Sequence, residues 1–403
     1  MNIGITISLL EENESLWTNG IKLNAIYLQK TLTELGYNVY LLNVGGDVQS
    51  PYHGKVVWDE KMFPIYNYVE KEKETDLLIM LGATFPDTDI LKFKANDKRK
   101  KVIKYICGNN YFNDALSSMF RPGASETGYN QELDEIWFVP QQDVLNREYY
   151  RILHNVPADK VRPVPFVWDP IFLDALSAKY TTLDTEPTEA NIVLPIYIPG
   201  KSNKEKQLIC FEPNSDISKF HMINLLIAED YMRMGGEFKK LNILCGKDII
   251  KNNYYVSVIK NTRIFNTDPI KLNYLPRLVA VDAFAQLTDV ILAHQHHNPL
   301  NYAYLDALYL QFPLVHNASM IKDAGYYYEG NSIGSGARQL KQAMDNHDNN
   351  IEEYNERSQS VLTRYTTYNE EMLETYQMLI ENTMGIKDHI IGTAYDWKTN
   401  LYK

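Results

Sequence analysis

Short apolar runs alternate with helical segments twice along this chain of 403 residues, and an irregular stretch separates the two series. The first series opens with an apolar run over residues 2–9, a helical spacing of apolar residues over 21–35 and a second apolar run over 37–44. A β-α-β order of this kind predicts a parallel sheet with right-handed crossovers. We therefore expect an α/β protein.

The second series follows a stretch from 176 to 206 that is rich in Thr, Glu, Pro and Lys and shows no sustained period. The chain therefore divides into an N-terminal domain over 1–175, an irregular linker over 176–206 and a C-terminal domain over 207–365. The remaining residues, 366–403, include the end of a long helical pattern. We expect two Rossmann-like domains facing across a cleft, with the C-terminal helix crossing back to the N-terminal domain.

Net charge, cysteine spacing and missing motifs argue against several classes of protein. The net charge of −11 argues against a general polyanion-binding surface, and three cysteines without a C-x-x-C pair indicate reduced core thiols. No apolar run approaches the ~20 residues that span a bilayer, and no signal peptide is recognisable, so we expect a cytoplasmic protein with no membrane span. P-loop, G-x-S-x-G and H-E-x-x-H patterns are missing, which disfavours kinase, hydrolase and metalloprotease functions.

The loop over residues 212–219 is the first candidate ligand site. In open parallel sheets, ligands bind at the carboxyl ends of strands, near helix N-termini. Asn214 precedes a predicted helix and Lys219 falls in or near its first turn, where a lysine and free backbone N–H groups suit a diphosphate. An ordinary strand–helix loop with a solvated lysine is the alternative.

The loop over residues 294–301 is the second candidate. Its three histidines do not predict a zinc site, because neighbouring histidines diverge and no Cys or carboxylate accompanies them. Asn298 or Asn301 would cap the next helix, and Asp306, about one and a half turns in, would bind ribose hydroxyls. An acid that offsets the helix dipole is the alternative for Asp306. The predicted donor-binding residues are Asn214, Lys219, His294, Asn298, Leu300, Asn301 and Asp306.

Glycine-bearing turns after strands of the first series predict a shallow acceptor-side surface. Asn19 and Gly20 open the first helix behind Trp17, and Asn109 and Asn110 follow a later strand. No G-x-G-x-x-G pattern occurs there, so a dinucleotide site is not expected.

The segments 17–20, 211–219 and 301–309 resemble a bacterial and phage family of unknown function that looks like the GT-B glycosyltransferases. The resemblance runs from residue 1 to about residue 380. Many GT-B enzymes have a basic residue near the first helix of the second domain, which here is Lys219. They also have an acidic residue in a helix before a strand of the G-x-P-V-V type, which here is Asp306. The paired glutamates usual in such enzymes are missing.

The resemblance implies a glycosyltransferase, a hexosyl- or pentosyltransferase, with a nucleotide sugar, most simply a UDP-sugar, as co-substrate. It implies no obligatory metal, because basic residues and helix N-termini neutralise the leaving diphosphate. An inverting enzyme would need a base on the first domain. We predict Asp87 as that base, the alternative being a loop aspartate that caps a helix.

The acceptor is predicted from a basic run over residues 92–104. If this run is functional, Arg99, Lys100 and Lys101 would contact DNA phosphates, and the acceptor would be a hydroxymethylated base in phage DNA. A solvated turn before a buried strand is the alternative for the run. Other functions compatible with the sequence are a surface-polysaccharide glycosyltransferase, a nucleotide-sugar epimerase and a non-catalytic nucleotide-binding module.

Overall fold

The computed structural model describes residues 1–10, 20–45, 62–95, 97–121, 128–175, 195–392 and 394–402. These residues form two compact units. The first unit combines Met1–Asp169 with Arg364–Lys403, and the second is Pro170–Thr363. The C-terminal segment therefore belongs to the same unit as the N-terminus.

Seven parallel strands form the sheet of the first unit. They are β1 (Asn2–Ile7), β2 (Asn38–Asn43), β3 (Ile65–Asn67), β4 (Leu77–Met80), β5 (Lys101–Ile106), β6 (Glu135–Phe138) and β7 (Val161–Pro163). Their spatial order is β3-β2-β1-β4-β5-β6-β7. The residues of β1, β4 and β6 are almost all buried, as is usual for parallel sheets that helices cover on both faces. The helices are α1 (Gly20–Glu34), α2 (Tyr68–Lys71), α3 (Asp87–Ala95), α4 (Asn110–Phe120) and α5 (Asp143–Leu153).

Two glycines shape the first crossovers. Gly36 ends α1 with φ +80°, and its N–H bonds to the carbonyl of Thr33 at 2.9 Å, a backbone geometry that favours glycine. Gly82 follows β4 where the chain passes close to β1. A Cβ at Gly82 would lie 2.8 Å from the carbonyl oxygen of Thr6, so a side chain there would force the strands apart.

Six parallel strands form the sheet of the second unit. They are β8 (Gln207–Cys210), β9 (Lys240–Ile243), β10 (Leu272–Tyr274), β11 (Val290–Ala293), β12 (Leu314–His316) and β13 (Tyr326–Tyr327). Their order is β10-β9-β8-β11-β12-β13, so β8 and β11 are neighbours. The connection after β8 runs to β9 on one side, whereas the connection after β11 runs to β12 on the other side. The boundary between β8 and β11 is therefore the topological switch point, where open α/β sheets bind ligands.

After β8 the second unit has the helices α6 (Met222–Arg233), α7 (Asn253–Ile259), α8 (Arg263–Thr267), α9 (Ala280–Leu287), α10 (Tyr302–Tyr309), α11 (Ile333–Asn346) and α12 (Ile351–Leu362). Helices α6 to α10 lie between strands of the sheet, and α11 and α12 follow β13. The prediction of two Rossmann-like α/β domains is confirmed. No helix of the described residues is both long and apolar enough to cross a bilayer.

The long helical pattern whose end falls within 366–403 begins at about residue 350, and it forms two helices rather than one. Helix α12 ends at Leu362 in the second unit, and α13 (Glu370–Met384) lies in the first. Between them the chain contacts the first unit, where the Trp168 N–H donates to the carbonyl of Tyr365 at 2.7 Å. A hairpin of β14 (Tyr395–Asp396) and β15 (Leu401–Tyr402) follows.

Buried polar contacts fasten the returning segment to the first unit. The Tyr376 hydroxyl on α13 donates to the carbonyl of Pro165 at 2.6 Å. Asn400 accepts from the N–H of Phe166 at 2.9 Å and donates to its carbonyl at 2.8 Å. The run over 164–168 is irregular, and Pro165 within it lacks the N–H that a sheet ladder requires.

Candidate functional site

The loop between β8 and α6 is folded by the side chain of Asn214. This residue has φ +55°, and its N–H bonds to the carbonyl of Lys219 at 2.9 Å. Its Oδ1 accepts from the backbone N–H of His221 at 3.0 Å and from His221 Nδ1 at 2.7 Å. The side-chain amide of Asn214, which is predicted to bind the donor, therefore stabilises the loop that carries Lys219.

A buried hydrogen-bond chain continues behind this loop. His221 Nδ1 donates to Asn214, so Nε2 accepts from the Tyr255 hydroxyl at 2.7 Å, and Tyr255 lies 2.8 Å from the hydroxyl of Tyr274. Burial lowers the pKa of His221 to about 4, which keeps the imidazole neutral. The loop is therefore tied to α7 and β10.

Lys219 is half-buried, and its ammonium group makes no hydrogen bond or ion pair with the residues that the structure describes. Burial lowers its pKa, the charge of Asp216 opposes this effect, and the positive charge of Arg277 adds to it. Arg277 is exposed and follows β10, so loops after two strands bring positive charge to the carboxyl edge of one sheet. Such an edge favours an anionic ligand.

The loop over 294–301 is anchored inside the second unit. His294 is buried, and its Nδ1 lies 2.9 Å from the hydroxyl oxygen of Tyr328. The Tyr328 hydroxyl donates its hydrogen to the carbonyl of Ala293, so His294 Nδ1 donates to the Tyr328 oxygen. Burial, with His296 nearby, lowers the pKa of His294 to about 4. Leu300 is fully buried and anchors the loop in the core, and its contact with the donor stays a prediction.

Amide groups fix the rest of this loop. Asn298 donates to the side chain of Gln295, whose N–H donates to Asn317 Oδ1 at 3.1 Å. Of the residues that the structure describes, no three His, Cys, Asp or Glu side chains are grouped so as to hold a metal ion.

Helix α10 begins as the sequence predicts. Asn301 is its N-cap, with extended backbone, and its side chain accepts from the N–H of Ala303 at 3.1 Å. Asp306 is half-buried in the second turn. The helix start follows β11 and thus lies at the carboxyl edge of the sheet, where its partial positive charge favours anions.

Two residues of this edge are not singled out by the sequence, Arg277 and Glu212, although Glu212 begins the first candidate loop. Glu212 is 1% exposed, and its carboxylate accepts from the His294 N–H at 2.9 Å and from Asn224 Nδ2 at 2.8 Å. Burial raises the pKa of Glu212 to about 7. The only signal in the sequence is its place directly after a strand.

Asp87, predicted as a base, is the first residue of α3 and fastens a neighbouring loop. Its two oxygens accept from the N–H of Gln131 at 3.1 and 3.0 Å, and one also accepts from Asn130 Nδ2 at 3.3 Å. The carboxylate therefore holds the loop of residues 130 and 131 against the start of α3. The contacts favour the structural alternative, and the catalytic role stays a prediction.

The other acceptor-side residues begin helices of the first unit. Asn109 caps α4 by accepting from the N–H of Phe112 at 3.1 Å, while Asn110 is the first residue of that helix and Gly20 is the first residue of α1. All three lie at the carboxyl edge of the first sheet. Trp17 and Asn19 lie outside the described residues.

The basic run does not form a phosphate-binding surface at that edge. Arg99, Lys100 and Lys101 precede or begin β5 and therefore lie at the opposite, amino edge of the sheet. Arg99 pairs with Asp97 at 2.8 Å and Lys101 with Asp134 at 3.1 Å. Lys100 is buried and donates to the carbonyls of Glu72 and Lys73, in the turn that follows α2, at 2.7 and 3.2 Å. This burial favours the structural alternative for Lys100, and its contact with DNA phosphates stays a prediction.

The sequence profile of DUF2827, a family of proteins of unknown function, matches residues 3–380. No curated protein matches the chain. Among solved structures, the catalytic domain of starch synthase IV from Arabidopsis thaliana, bound to ADP and acarbose, superposes with a TM-score of 0.60 at 9% identity over 95% of this chain and 99% of that one.

Two UDP-glucose complexes are also similar. The Anabaena protein HepE gives a TM-score of 0.53 at 12% identity, over 94% of this chain and 99% of that one. A DNA-modifying β-glucosyltransferase gives 0.51 at 12% identity, over 96% and 100%. At such identities the likeness shows the fold alone. The chain belongs to the DUF2827 family, and its fold is that of the GT-B glycosyltransferases.

Proposed function

We propose that the protein is a glycosyltransferase that binds a nucleotide sugar at the carboxyl edge of the second sheet and transfers the sugar to a hydroxyl group. One observation carries the proposal: the half-buried Lys219 ammonium lacks any partner in the described part of the chain and lies near a second positive charge, Arg277. A desolvated cation of this kind is stabilised by an anionic ligand.

The donor would place its diphosphate between Lys219 and the start of α10. Positive charge at this position stabilises the negative charge that develops on the leaving diphosphate as the glycosidic bond breaks. Asp306, in the second turn of α10, would accept hydrogen bonds from the ribose hydroxyls. UDP is the first nucleotide to test because two similarly folded proteins are complexes with UDP-glucose.

The acceptor hydroxyl would approach the carboxyl edge of the first sheet, where Gly20, Asn109 and Asn110 start helices. We infer a carbohydrate hydroxyl as the acceptor, because Arg99, Lys100 and Lys101 lie at the opposite edge of that sheet. A hydroxymethylated DNA base is the second candidate, supported by the likeness to a DNA-modifying enzyme.

Binding and turnover of UDP-glucose test the proposal. Saturable thermal stabilisation by UDP-glucose, unchanged by EDTA, is the expected result, followed by UDP release once a suitable acceptor is supplied. Failure of every nucleotide and nucleotide sugar to stabilise the protein would reject the donor site. UDP release with free sugar and no glycosylated product would favour hydrolysis, whereas an isomeric UDP-sugar formed without net UDP release would favour epimerisation.

The role of Asp306 has its own test. UDP should bind more tightly than 2′-deoxy-UDP to the wild-type protein, and Asp306→Ala should bind the two about equally. Asp306→Ala that keeps the full preference for UDP would show that another group contacts the ribose.

A further inference from the structure

Glu212 lies at the switch point of the second sheet and joins the two candidate loops. It is the second residue after β8, and one oxygen accepts from the N–H of His294, the first residue after β11, at 2.9 Å. The other oxygen accepts from Asn224 Nδ2 on α6 at 2.8 Å. One carboxylate therefore connects the loop of Lys219 to the loop of Asn301.

This carboxylate is buried, and no cation of the described residues pairs with it. The titratable groups around it are Cys210 on β8, His294, Tyr304 on α10 and Tyr328 after β13. Burial raises the pKa of the thiol and both phenols well above their ordinary values and lowers that of His294 to about 4. All four are uncharged near neutral pH, so within this set only Glu212, with its pKa raised to about 7, changes charge there.

A diphosphate at the same edge would add negative charge near a buried carboxyl group. Like charge disfavours the ionised form of a carboxylate. We propose that Glu212 is a positioning residue that takes up a proton when the nucleotide sugar binds, so that donor affinity decreases as the pH rises. This inference rests on the proposed function.

Asn224 allows both protonation states of Glu212 to stay hydrogen bonded. Its Nδ2 donates to the carboxylate, while its Oδ1 is buried and has no partner among the described residues. A flip of this amide presents Oδ1 to the protonated carboxyl O–H. The same flip accommodates Glu212→Gln, whose carbonyl accepts from His294 and whose NH₂ donates to Asn224. Glu212→Gln therefore imitates the protonated residue.

Isothermal titration of the full chain with UDP-glucose between about pH 6 and pH 8 tests this proposal, because the diphosphate diester keeps its charge over that range. If the ligand raises the pKa of Glu212 from about 7 to about 8, the Kd of the wild-type protein increases about fivefold from pH 6 to pH 8. Titrations in two buffers with different ionisation enthalpies should show net proton uptake.

Glu212→Gln should bind UDP-glucose with a Kd that is independent of pH and close to the wild-type value at pH 6. His297→Asn, which removes a neighbouring imidazole, should keep the wild-type pH dependence. A pH-independent wild-type Kd without proton uptake, or a Glu212→Gln protein with the wild-type dependence, would overturn the proposal while leaving donor binding intact. No binding of UDP-glucose at any pH would reject the proposed function as well.

Discussion

Replacing Lys219 with methionine should separate donor binding from folding. The Lys219 ammonium is half-buried without a partner in the described part of the chain, and burial lowers its pKa. Methionine keeps the aliphatic length but removes the charge. No ion pair is lost, so the free energy of unfolding of the unliganded protein should stay the same or increase slightly.

The loss of donor affinity follows from one charge-assisted hydrogen bond. Such a bond contributes about 1.5–3 kcal/mol, which corresponds to a Kd for UDP-glucose about 10- to 140-fold higher. Isothermal titration measures this change, and thermal unfolding without ligand measures the effect on stability. Lys204→Met is the matched control, because Lys204 is exposed, lies 3.5 Å from Glu237 and precedes β8 at the opposite edge of the sheet.

A Kd of Lys219→Met within about twofold of the wild-type value would refute this reasoning, since one charge-assisted bond is worth more than that. Equal weakening in Lys204→Met would point to a general effect of net charge. A strongly lowered melting temperature in Lys219→Met would show that the lysine supports the fold.

Three further predictions concern the buried polar groups of the two units. Asp169→Asn should lower the free energy of unfolding by about 3–5 kcal/mol in urea denaturation, because the Lys30 ammonium, which lies 2.5 Å from the Asp169 carboxylate, would stay buried without its partner. An unchanged midpoint of denaturation would contradict this. Tyr255→Phe should lower the free energy of unfolding by about 1–3 kcal/mol and weaken UDP-glucose binding, because His221 Nε2 would then lack a hydrogen-bond donor. An unchanged free energy of unfolding would show that another group donates to His221. Acid should destabilise the protein as the pH falls from 6.5 towards 4. Burial lowers the pKa of His221 and His316 from 6.5 to about 4, so the unfolded chain binds protons at a higher pH than the folded protein does. A melting temperature that does not change between pH 6.5 and pH 4 would contradict the lowered pKa of these histidines.

Local patterns were sufficient for the main strands and for one helix cap. The apolar runs that contain β4 and β11 are four residues or longer and lie between turn residues, so their type is readable from the sequence. Asn301 was predictable as a cap because its partner, the N–H of Ala303, is two residues away. Short strands have no such pattern. Strand β10 has three residues, and without it Arg277 could not be placed at the carboxyl edge.

Long-range contacts explain most of what the sequence did not indicate. Glu212 bonds to His294 across 82 residues, and no local pattern encodes that contact. The basic run has a nearby and a distant carboxylate partner, Asp97 for Arg99 and Asp134 for Lys101, and these offset part of its charge. Its position directly before a strand would have placed Arg99 at the amino edge, so strand direction was the better guide than charge density.

A crystal structure of the protein with UDP tests the donor site most directly. We expect the diphosphate at the carboxyl edge of the second sheet, with an oxygen within hydrogen-bond distance of Lys219 Nζ and the ribose hydroxyls near Asp306. UDP bound elsewhere, or bound at this edge with Lys219 still without a partner, would contradict the proposed donor site.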